Sequence, residues 1–356
     1  MKWAVIAAYF KQEHIDNKMW LSRLVSQDKY DFELMMRSKP ITNWHDREVK
    51  VTTFPEWVIH WKHAASALNS NADGVITLFP QLPTVIGLQK FFKVSKKPVI
   101  AWTFNVGNYK VGPIRRWLSQ VSLGQIDRFI VHSRQEIDIY SKWLGLPKDR
   151  FEFVPFPCAG IEGDYVEETE TPFIASLGSA HRDFPCFFKV VEELSIPTIV
   201  ASGPSALEGI SIPSNVETPF GISRADCHKI AQEGRINVIA LQDKPDVTAA
   251  GHVTVIEAMH MGRPIIVSDC YRMGDYIKHG ETGWLVKPGC SQSLKEAITL
   301  LWNDEELRNR LGRNAKAYAQ KHFTEDAAAK ELERILDDVT GRKDQKKKVL
   351  ANAIAS

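Results

Sequence analysis

Short apolar runs alternate with amphipathic helical patterns along the whole chain. In the first half, the apolar runs predict buried strands at residues 3–8, 74–79, 98–104, 128–132 and 154–156. In the second half they predict strands at residues 173–177, 196–201, 216–218, 237–241 and 265–267. A chain in which strands and helices alternate in this way is typical of an α/β fold with mostly parallel sheets.

Helical signals lie between these runs. They predict helices at residues 17–26, 83–92, 113–123 and 252–261, and a charged C-terminal helix after residue 324. A further helix begins after Ser133, which forms a capping box with Glu136, and it ends at Gly145.

The length of 356 residues is enough for two domains. The segment around residues 160–172 is acidic and contains two glycines, which is typical of a linker. We therefore predict an N-terminal domain over residues 1–160, a linker over 161–172, a second domain over 173–324, and a C-terminal helix with a basic tail over 325–356. The basic run at residues 342–348 is expected to be a solvated chain end.

The stretch 249–288 is the part of the chain that indicates chemistry. A turn at Gly251 leads into the helix 252–261, which Gly262 ends and Pro264 keeps from resuming. The free N–H groups at such a helix start, together with the helix dipole, favour an anion such as phosphate. The candidate binding residues are Gly251, His252, Val253 and Thr254. Although a lone His is more often structural, the His252 side chain can also donate to a phosphate or a sugar.

Two charged side chains complete this candidate site. Glu257 lies one turn further along the helix, among apolar neighbours that make an unpaired carboxylate costly, and can accept hydrogen bonds from sugar hydroxyls. Arg182 lies in the loop that begins at Gly178, after the strand 173–177, where the C-terminal end of a parallel strand places ligand-binding loops. A guanidinium suits phosphate oxygens, and the alternative is an ion pair with Asp183.

The same stretch resembles the donor-binding signature of retaining GT-B glycosyltransferases, in particular glycosyltransferase family 4. The matching positions are Glu257-Ala258-Met259, Gly262-Arg263-Pro264, Asp275 and the run from Gly280 to Gly289. The resemblance covers residues 130–328 well and the first half loosely. It implies two Rossmann-like domains facing across a cleft, with the C-terminal helix crossing back to the first domain. It also implies that Glu257 binds ribose hydroxyls and that Arg182 holds a diphosphate.

The chain departs from this family at several positions. Ala249 stands where the family has a first Glu that contacts the donor sugar, and Ser179 stands where it has an Arg. The loop after the first strand has no Gly, and Asn105 lies near the position of a family His. Asn105 is the candidate catalytic residue of the first domain, and Trp102 or Phe104 can stack on a sugar. A core strand that ends in a turn explains these three residues equally well.

The resemblance implies transfer of a sugar, with a hexose expected, from a nucleoside-diphosphate sugar to a glycan, lipid-linked or small-molecule acceptor with retention of configuration. The sequence has no Asp-x-Asp pair for a metal, so we expect neither a metal nor a cofactor beyond the donor. Two alternatives stay open, because Ala249 and the missing His weaken the match. One is a sugar-nucleotide epimerase with the same fold, and the other is a nucleotide-sugar-binding scaffold without activity.

Composition and charge limit the classes of partner that the protein can have. A net charge of +2 and the absence of a recognisable module exclude a typical nucleic-acid-binding protein. Five widely spaced cysteines indicate reduced thiols and a cytoplasmic location. A basic face interleaved with aromatic residues is consistent with peripheral contact with the inner face of a membrane. The alternative, which is commoner for such clusters, is a solvated helix face. Its cations are Lys90, Lys93, Lys96, Lys97, Arg115 and Arg116.

Overall fold

The structure is a computed structural model that describes residues 1–10, 12–16, 19–38, 52–93, 95–106, 109 and 111–355. Of residues 13, 93 and 342–355 it describes the backbone alone. The chain forms two compact units, one of Met1–Val154 with Ala328–Ser356 and one of Pro155–Ala327. The unit boundaries therefore fall at Val154 and Ala327, whereas the boundaries predicted from the sequence are residues 160 and 324.

The first unit is a parallel α/β sheet with helices on both faces. Its strands are β1 (Lys2–Ile6), β2 (Asp31–Met35), β3 (Gly74–Leu78), β4 (Val99–Trp102), β5 (Arg128–Val131) and β6 (Phe151–Phe153), in the order β2-β1-β3-β4-β5-β6. Its helices are α1 (Gln12–Asp16), α2 (Trp20–Leu24), α3 (Phe54–Asn69), α4 (Gln81–Lys93), α5 (Pro113–Leu123) and α6 (Arg134–Leu144). Strands β3, β4 and β5 are buried along their whole length, which explains their continuous apolar sequences.

The second unit repeats this architecture. Its strands are β7 (Ile174–Leu177), β8 (Thr198–Ala201), β9 (Val216–Glu217), β10 (Ile236–Ile239), β11 (Ile265–Ser268) and β12 (Trp284–Val286), in the order β12-β11-β10-β7-β8-β9. Its helices are α7 (Phe184–Leu194), α8 (Arg224–Glu233), α9 (His252–Met261), α10 (Ser291–Asn303) and α11 (Glu305–His322). All strand pairs in both sheets are parallel, so the predicted α/β fold class is confirmed.

The last helix, α12 (Glu325–Ala355), packs on the first unit. Leu332, Ile335 and Leu336 are buried in the core cluster that covers one face of the first sheet. Lys29 pairs with Glu333 at 2.9 Å, and Tyr30 donates to Asp337 at 2.5 Å. The C-terminal helix α12 thus packs on the first unit, as predicted. The side chains of the basic run 342–348 lie outside the described residues.

Local signals located several elements correctly. The Ser133–Glu136 capping box forms at the start of α6, and Gly145 ends that helix with a φ of 66°. The strand predicted at residues 154–156 is wrong, because β6 ends at Phe153. The Val154 N–H still donates to the Val131 carbonyl, but Pro155 and Pro157 have no N–H with which to continue the ladder.

Other differences concern the first unit and the linker. Strand β2 and helix α3 were not predicted, and helix α2 is shorter than the predicted helix 17–26, of which residues 17 and 18 lie outside the described residues. The segment predicted as a linker has no regular secondary structure and runs along α8. Its backbone N–H groups donate to that helix at 2.8–2.9 Å, from Glu162 to His228, from Tyr165 to Gln232 and from Glu168 to Glu233.

Candidate active site

Helix α9 begins at a glycine in the left-handed region. Gly251 has a φ of 79° and precedes His252, and Gly262 ends the helix with a φ of 75°. The first turn contains no acidic residue, so nothing in it opposes an anion at the positive end of the helix dipole. Val253 is half exposed, which leaves the helix start open. The backbone of Gly251, Val253 and Thr254 is therefore placed as an anion site requires.

The loop after β7 approaches the same helix start. Gly178 has a φ of 90°, and Arg182 folds back beneath it. The Arg182 Nε and Nη2 donate to the Leu177 carbonyl at 3.0 and 2.8 Å, and Nη1 donates to the Ala180 carbonyl at 3.0 Å. Nη2 also donates to the hydroxyl of Thr254, in the first turn of α9, at 3.0 Å. The guanidinium therefore joins the loop to the helix start.

Arg182 is only 6% exposed, and burial lowers its pKa to about 10, so it stays charged at neutral pH. The alternative ion pair with Asp183 does not form, because the Asp183 carboxylate caps α7 by accepting the Cys186 N–H at 3.3 Å. Within the described residues, no ion pair involves Arg182. The positive charge of Arg182 consequently lies beside Thr254 in the first turn of α9.

His252 points away from the helix start. Its side chain is 2% exposed, and its ring lies 4.7 Å from the ring of Tyr276. Burial lowers its pKa to about 4, so the imidazole is neutral at neutral pH. The His252 side chain therefore packs in the core and does not face the helix start, where a phosphate or a sugar was expected. The residue offers a ligand only its backbone.

Glu257 is paired, not isolated. Its Oε1 accepts from the Arg224 Nη2 at 3.1 Å and lies 3.5 Å from the His228 Nε2. The His228 Nδ1 accepts the N–H of Glu162 at 2.9 Å, so a neutral His228 ring has its proton on Nε2, facing Glu257. Among the described residues, the polar contacts of Glu257 go to Oε1, so its second oxygen is left for a ligand.

A pocket of about 210 Å³ lies against this carboxylate. It is lined by Phe156, Pro157, Cys158, Ala159, Arg224, Val253, Ile256 and Glu257. Because Val253, Ile256 and Glu257 follow helical spacing, the pocket lies on the face of α9 that begins at the anion site. The geometry thus combines an anion site with an adjoining pocket that has an apolar wall and one carboxylate, as a nucleotide needs.

Arg224 and His228 were not identified from the sequence. They lie on α8, which Ser223 and Asp226 begin with a capping box, and that local signal predicts a helix start but no ligand contact. Arg224 Nη2 also donates to the Gly160 carbonyl at 2.9 Å, so it ties the segment after β6 to Glu257.

The candidate residues of the first unit have structural partners. The Asn105 Nδ2 donates to Glu136 Oε1 at 3.1 Å, and Tyr140 donates to the same oxygen at 3.0 Å. Trp102 is buried against Trp20, with ring centroids 5.6 Å apart, and Phe104 is fully buried. The expectation that Trp102 or Phe104 stacks on a sugar is wrong, since neither ring is open to a ligand.

Several cations of the predicted basic face bond within the protein and do not face solvent freely. Lys90 is buried, where it donates to the Lys97 carbonyl at 2.9 Å and pairs with Asp127 at 3.3 Å. Lys97 donates to the Ser70 carbonyl, and Arg116 donates to the carbonyls of residues 142 and 143. The Lys93 side chain lies outside the described residues, while Lys96 and Arg115 are exposed.

The described residues contain neither a cluster suited to a metal ion nor a helix suited to span a membrane. No group of three or more His, Cys, Asp or Glu side chains in that part of the chain is arranged to hold a metal ion. Within the same residues, no helix has the length and apolar character needed to cross a membrane.

The region around α9 is similar to a known protein family. The family described as Glycosyl transferases group 1 matches residues 211–318, which include Arg224, the whole of α9 and Glu257. Residues 211–318 of the second unit are therefore similar to group 1 glycosyltransferases. A relative, the O-antigen chain mannosyltransferase C of Escherichia coli, is 33% identical over 75 residues, which is 21% of this chain and 20% of that protein. The chain thus matches only about a fifth of that relative's length.

Solved structures resemble the chain over nearly its whole length. The sucrose-phosphate synthase of Thermosynechococcus elongatus has a TM-score of 0.69 at 14% identity and covers 96% of this chain and 99% of its own. HepE of Anabaena in complex with UDP-glucose has a TM-score of 0.65 at 13% identity, covering 95% of this chain and 100% of its own. This likeness confirms the GT-B fold class predicted from the sequence.

Proposed function

We propose that the protein is a glycosyltransferase that moves a hexosyl group from a nucleoside-diphosphate sugar to a glycan or lipid-linked acceptor. The observation that supports this most is the position of the group 1 match, which contains the α9 start and Glu257 together with Arg224, Val253 and Ile256 of the pocket lining. HepE was solved with UDP-glucose, which supports a nucleotide sugar as donor here. The relative named above is an O-antigen chain mannosyltransferase, which supports a glycan acceptor.

In this proposal the donor lies along one face of α9. The diphosphate accepts hydrogen bonds from the N–H groups of the first turn, from Gly251 to Thr254. The absence of a side chain at Gly178 lets Arg182 fold beneath the loop after β7, and Arg182 supplies positive charge beside Thr254. The ribose hydroxyls donate to Glu257, which Arg224 holds in place.

The reaction proposed is transfer with retention and without a metal or a cofactor. The bond from the anomeric carbon to the diphosphate oxygen breaks, and a bond from that carbon to the acceptor oxygen forms on the same face. The departing phosphate oxygen takes the proton of the acceptor hydroxyl. The helix dipole and the Arg182 charge stabilise the negative charge on the leaving group, which is the task a divalent cation has in other transferases. Asn105 remains a proposed polar group on the acceptor side.

The acceptor and the location are part of the same proposal. A lipid-linked glycan is made at a membrane surface, so we propose that the protein works in the cytoplasm and contacts the membrane peripherally. Lys90 and Lys97 do not serve this contact, because their ammonium groups are bonded within the protein.

A panel of nucleoside-diphosphate sugars tests the proposal. Each donor is incubated with and without glycan acceptors, with and without a chelator, and released nucleoside diphosphate is measured. Release that rises with acceptor and survives chelation, with an α-linked product from an α-linked donor by NMR, is the expected result. A changed sugar without acceptor indicates the epimerase, and binding without turnover indicates the scaffold. Loss of turnover in chelator that a divalent cation restores contradicts the metal-free mechanism.

A further inference from the structure

Helices α3, α4 and α5 form one layer of the first unit. The Gln89 side chain on α4 donates to the Trp61 carbonyl on α3 at 2.8 Å, and a Cβ at Gly87 would overlap the Ser122 carbonyl on α5. Their buried side chains pack in the core of the first sheet. On the solvent side this layer exposes large apolar residues, here called the aromatic face: Phe54, Val58, Trp61, Phe91, Phe92, Ile114, Trp117 and Leu118.

The first two turns of α5 are the most exposed part of the aromatic face. Every residue from 112 to 118 is exposed, so this part of the helix contributes nothing to the core. Ile114, Trp117 and Leu118 are 75%, 60% and 45% exposed and lie at i, i+3 and i+4, which puts them on one stripe. Large apolar side chains held together on a surface cost free energy in water, and a contiguous patch of them marks an interaction site.

Within the described residues, the charged side chains of α3, α4 and α5 are mostly positive. The sequences of α4 and α5 contain no Asp or Glu, and the only acidic residue of α3 is Glu56. The Glu56 carboxylate accepts the N–H and the hydroxyl of Thr53, so it is occupied as a helix cap. Lys62, Lys96 and Arg115 are exposed. A partner must therefore offer an apolar surface with negative charge beside it.

Anionic lipid headgroups over a hydrocarbon layer offer this combination. Trp and Arg are the side chains that suit the boundary between headgroups and acyl chains, with an apolar body and a polar or charged tip. Each basic residue near such a surface adds about 1 kcal/mol of attraction. A second copy of the chain is a poorer partner, because a twofold contact through this face would set Arg115 and Lys62 against like charges.

We propose that the aromatic face docks the protein on an anionic lipid bilayer, with Ile114, Trp117 and Leu118 inserted at the headgroup boundary. The inference rests on the peripheral contact of the proposed function and assigns that contact to apolar anchors. It does not depend on sugar transfer, since none of these three residues belongs to the donor site.

Vesicle binding of the full chain tests the inference. The test variant is Ile114→Ser with Trp117→Ser and Leu118→Ser, and the matched control is Ile212→Ser with Phe220→Ser, two residues that are also exposed but lie in the second unit. Both are sedimented with vesicles of phosphatidylcholine alone and of phosphatidylcholine with phosphatidylglycerol. We expect wild type and control to bind the anionic vesicles, and the test variant to bind them at least about tenfold more weakly.

Two further measurements separate the outcomes. Circular dichroism checks that the variants fold, and nucleoside diphosphate release with a water-soluble acceptor should be unchanged in the test variant. Equal vesicle binding by test variant and wild type overturns the inference, as does a wild type that ignores anionic vesicles. Concentration-dependent dimers of wild type that the test variant lacks also overturn it, since a second copy then covers the face. Vesicle binding without transfer in any variant rejects the proposed function and leaves this inference intact.

Discussion

The Arg224 Nη2 lies 3.1 Å from the Glu257 Oε1, although the two residues are 33 positions apart in the sequence. The same nitrogen donates to the Gly160 carbonyl, so one guanidinium orients the carboxylate and fixes a wall of the pocket. Because Arg224 and His228 both face Oε1, Oε2 is the oxygen that remains for ribose hydroxyls.

Replacement of Glu257 tests the ribose site. We expect Glu257→Gln to weaken binding of a ribonucleoside diphosphate by about tenfold, since a hydrogen bond to a charged acceptor contributes about 1.5–3 kcal/mol. Isothermal titration with a 2′,3′-dideoxy nucleotide should show little difference between wild type and variant. Arg224→Met is the companion variant, which keeps the Glu257 carboxylate but no longer orients it. Its affinity for the ribonucleoside diphosphate should lie between those of wild type and Glu257→Gln. If Glu257→Gln discriminates against the dideoxy nucleotide as strongly as wild type does, Glu257 does not bind the ribose.

Removal of the Arg182 charge should reduce both turnover and stability. Arg182→Met loses the charge behind Thr254, and we expect a cost of about 2–4 kcal/mol in transition-state stabilisation, measured as kcat/KM. It also leaves the Leu177 and Ala180 carbonyls without their donors, at about 1–3 kcal/mol of unfolding free energy each.

The matched control is Arg308→Met. Arg308 is equally buried in the second unit and donates to the carbonyls of Leu301 and Trp302, but it lies on α11, outside the candidate site. A similar loss of Tm with unchanged kcat/KM is expected for this control. Parallel losses of kcat/KM in both variants would show that Arg182 acts through stability alone.

A side chain at Gly178 should disturb the loop after β7. A Cβ at this position would lie 2.4 Å from the Arg182 Nη2, and its φ of 90° is strained for any L-residue. Gly178→Ala should therefore reduce donor affinity and lower the Tm. Gly209→Ala is the control, because Gly209 has a φ of 73° and open space around its Cβ, so it feels the backbone strain of about 1–2 kcal/mol alone. Identical Tm and affinity changes in the two variants would refute the close contact with Arg182.

The buried His252 should make stability depend on pH. Its folded pKa of about 4 lies below the unfolded value of 6.5, so only the unfolded state binds a proton as the pH falls through this window. Stability is then complete above about pH 6.5 and decreases toward about pH 4, by about 2 kcal/mol at about pH 5. Thermal melts should show a smaller acid-induced drop in Tm for His252→Phe than for wild type. His322→Gln, at an exposed position, should behave as wild type, and an equally steep decrease in His252→Phe would assign the effect to other histidines.

Much of the fold follows from short-range signals. Alternating apolar runs predicted most strands of both sheets, and Gly251, Gly262 and Pro264 located α9 and β11 within a residue of their observed bounds. These signals work because helix ends and buried strands depend on backbone conformation and periodicity that neighbouring residues determine. Strand β2 was missed because its residues are only partly buried at the sheet edge and its sequence includes charged side chains.

The placement of side chains was decided by tertiary packing. The sequence by itself identified the α9 start, Glu257 and Arg182 as chemically suited to a nucleotide. Only the fold put Arg182 behind Thr254, turned His252 into the core and brought Arg224 from α8 to Glu257. The same holds for the predicted basic and aromatic face, where packing buried Lys90 and left Trp117 in solvent. Composition predicts that charged and aromatic groups are present, but burial depends on contacts between residues far apart in the chain, which no local pattern contains.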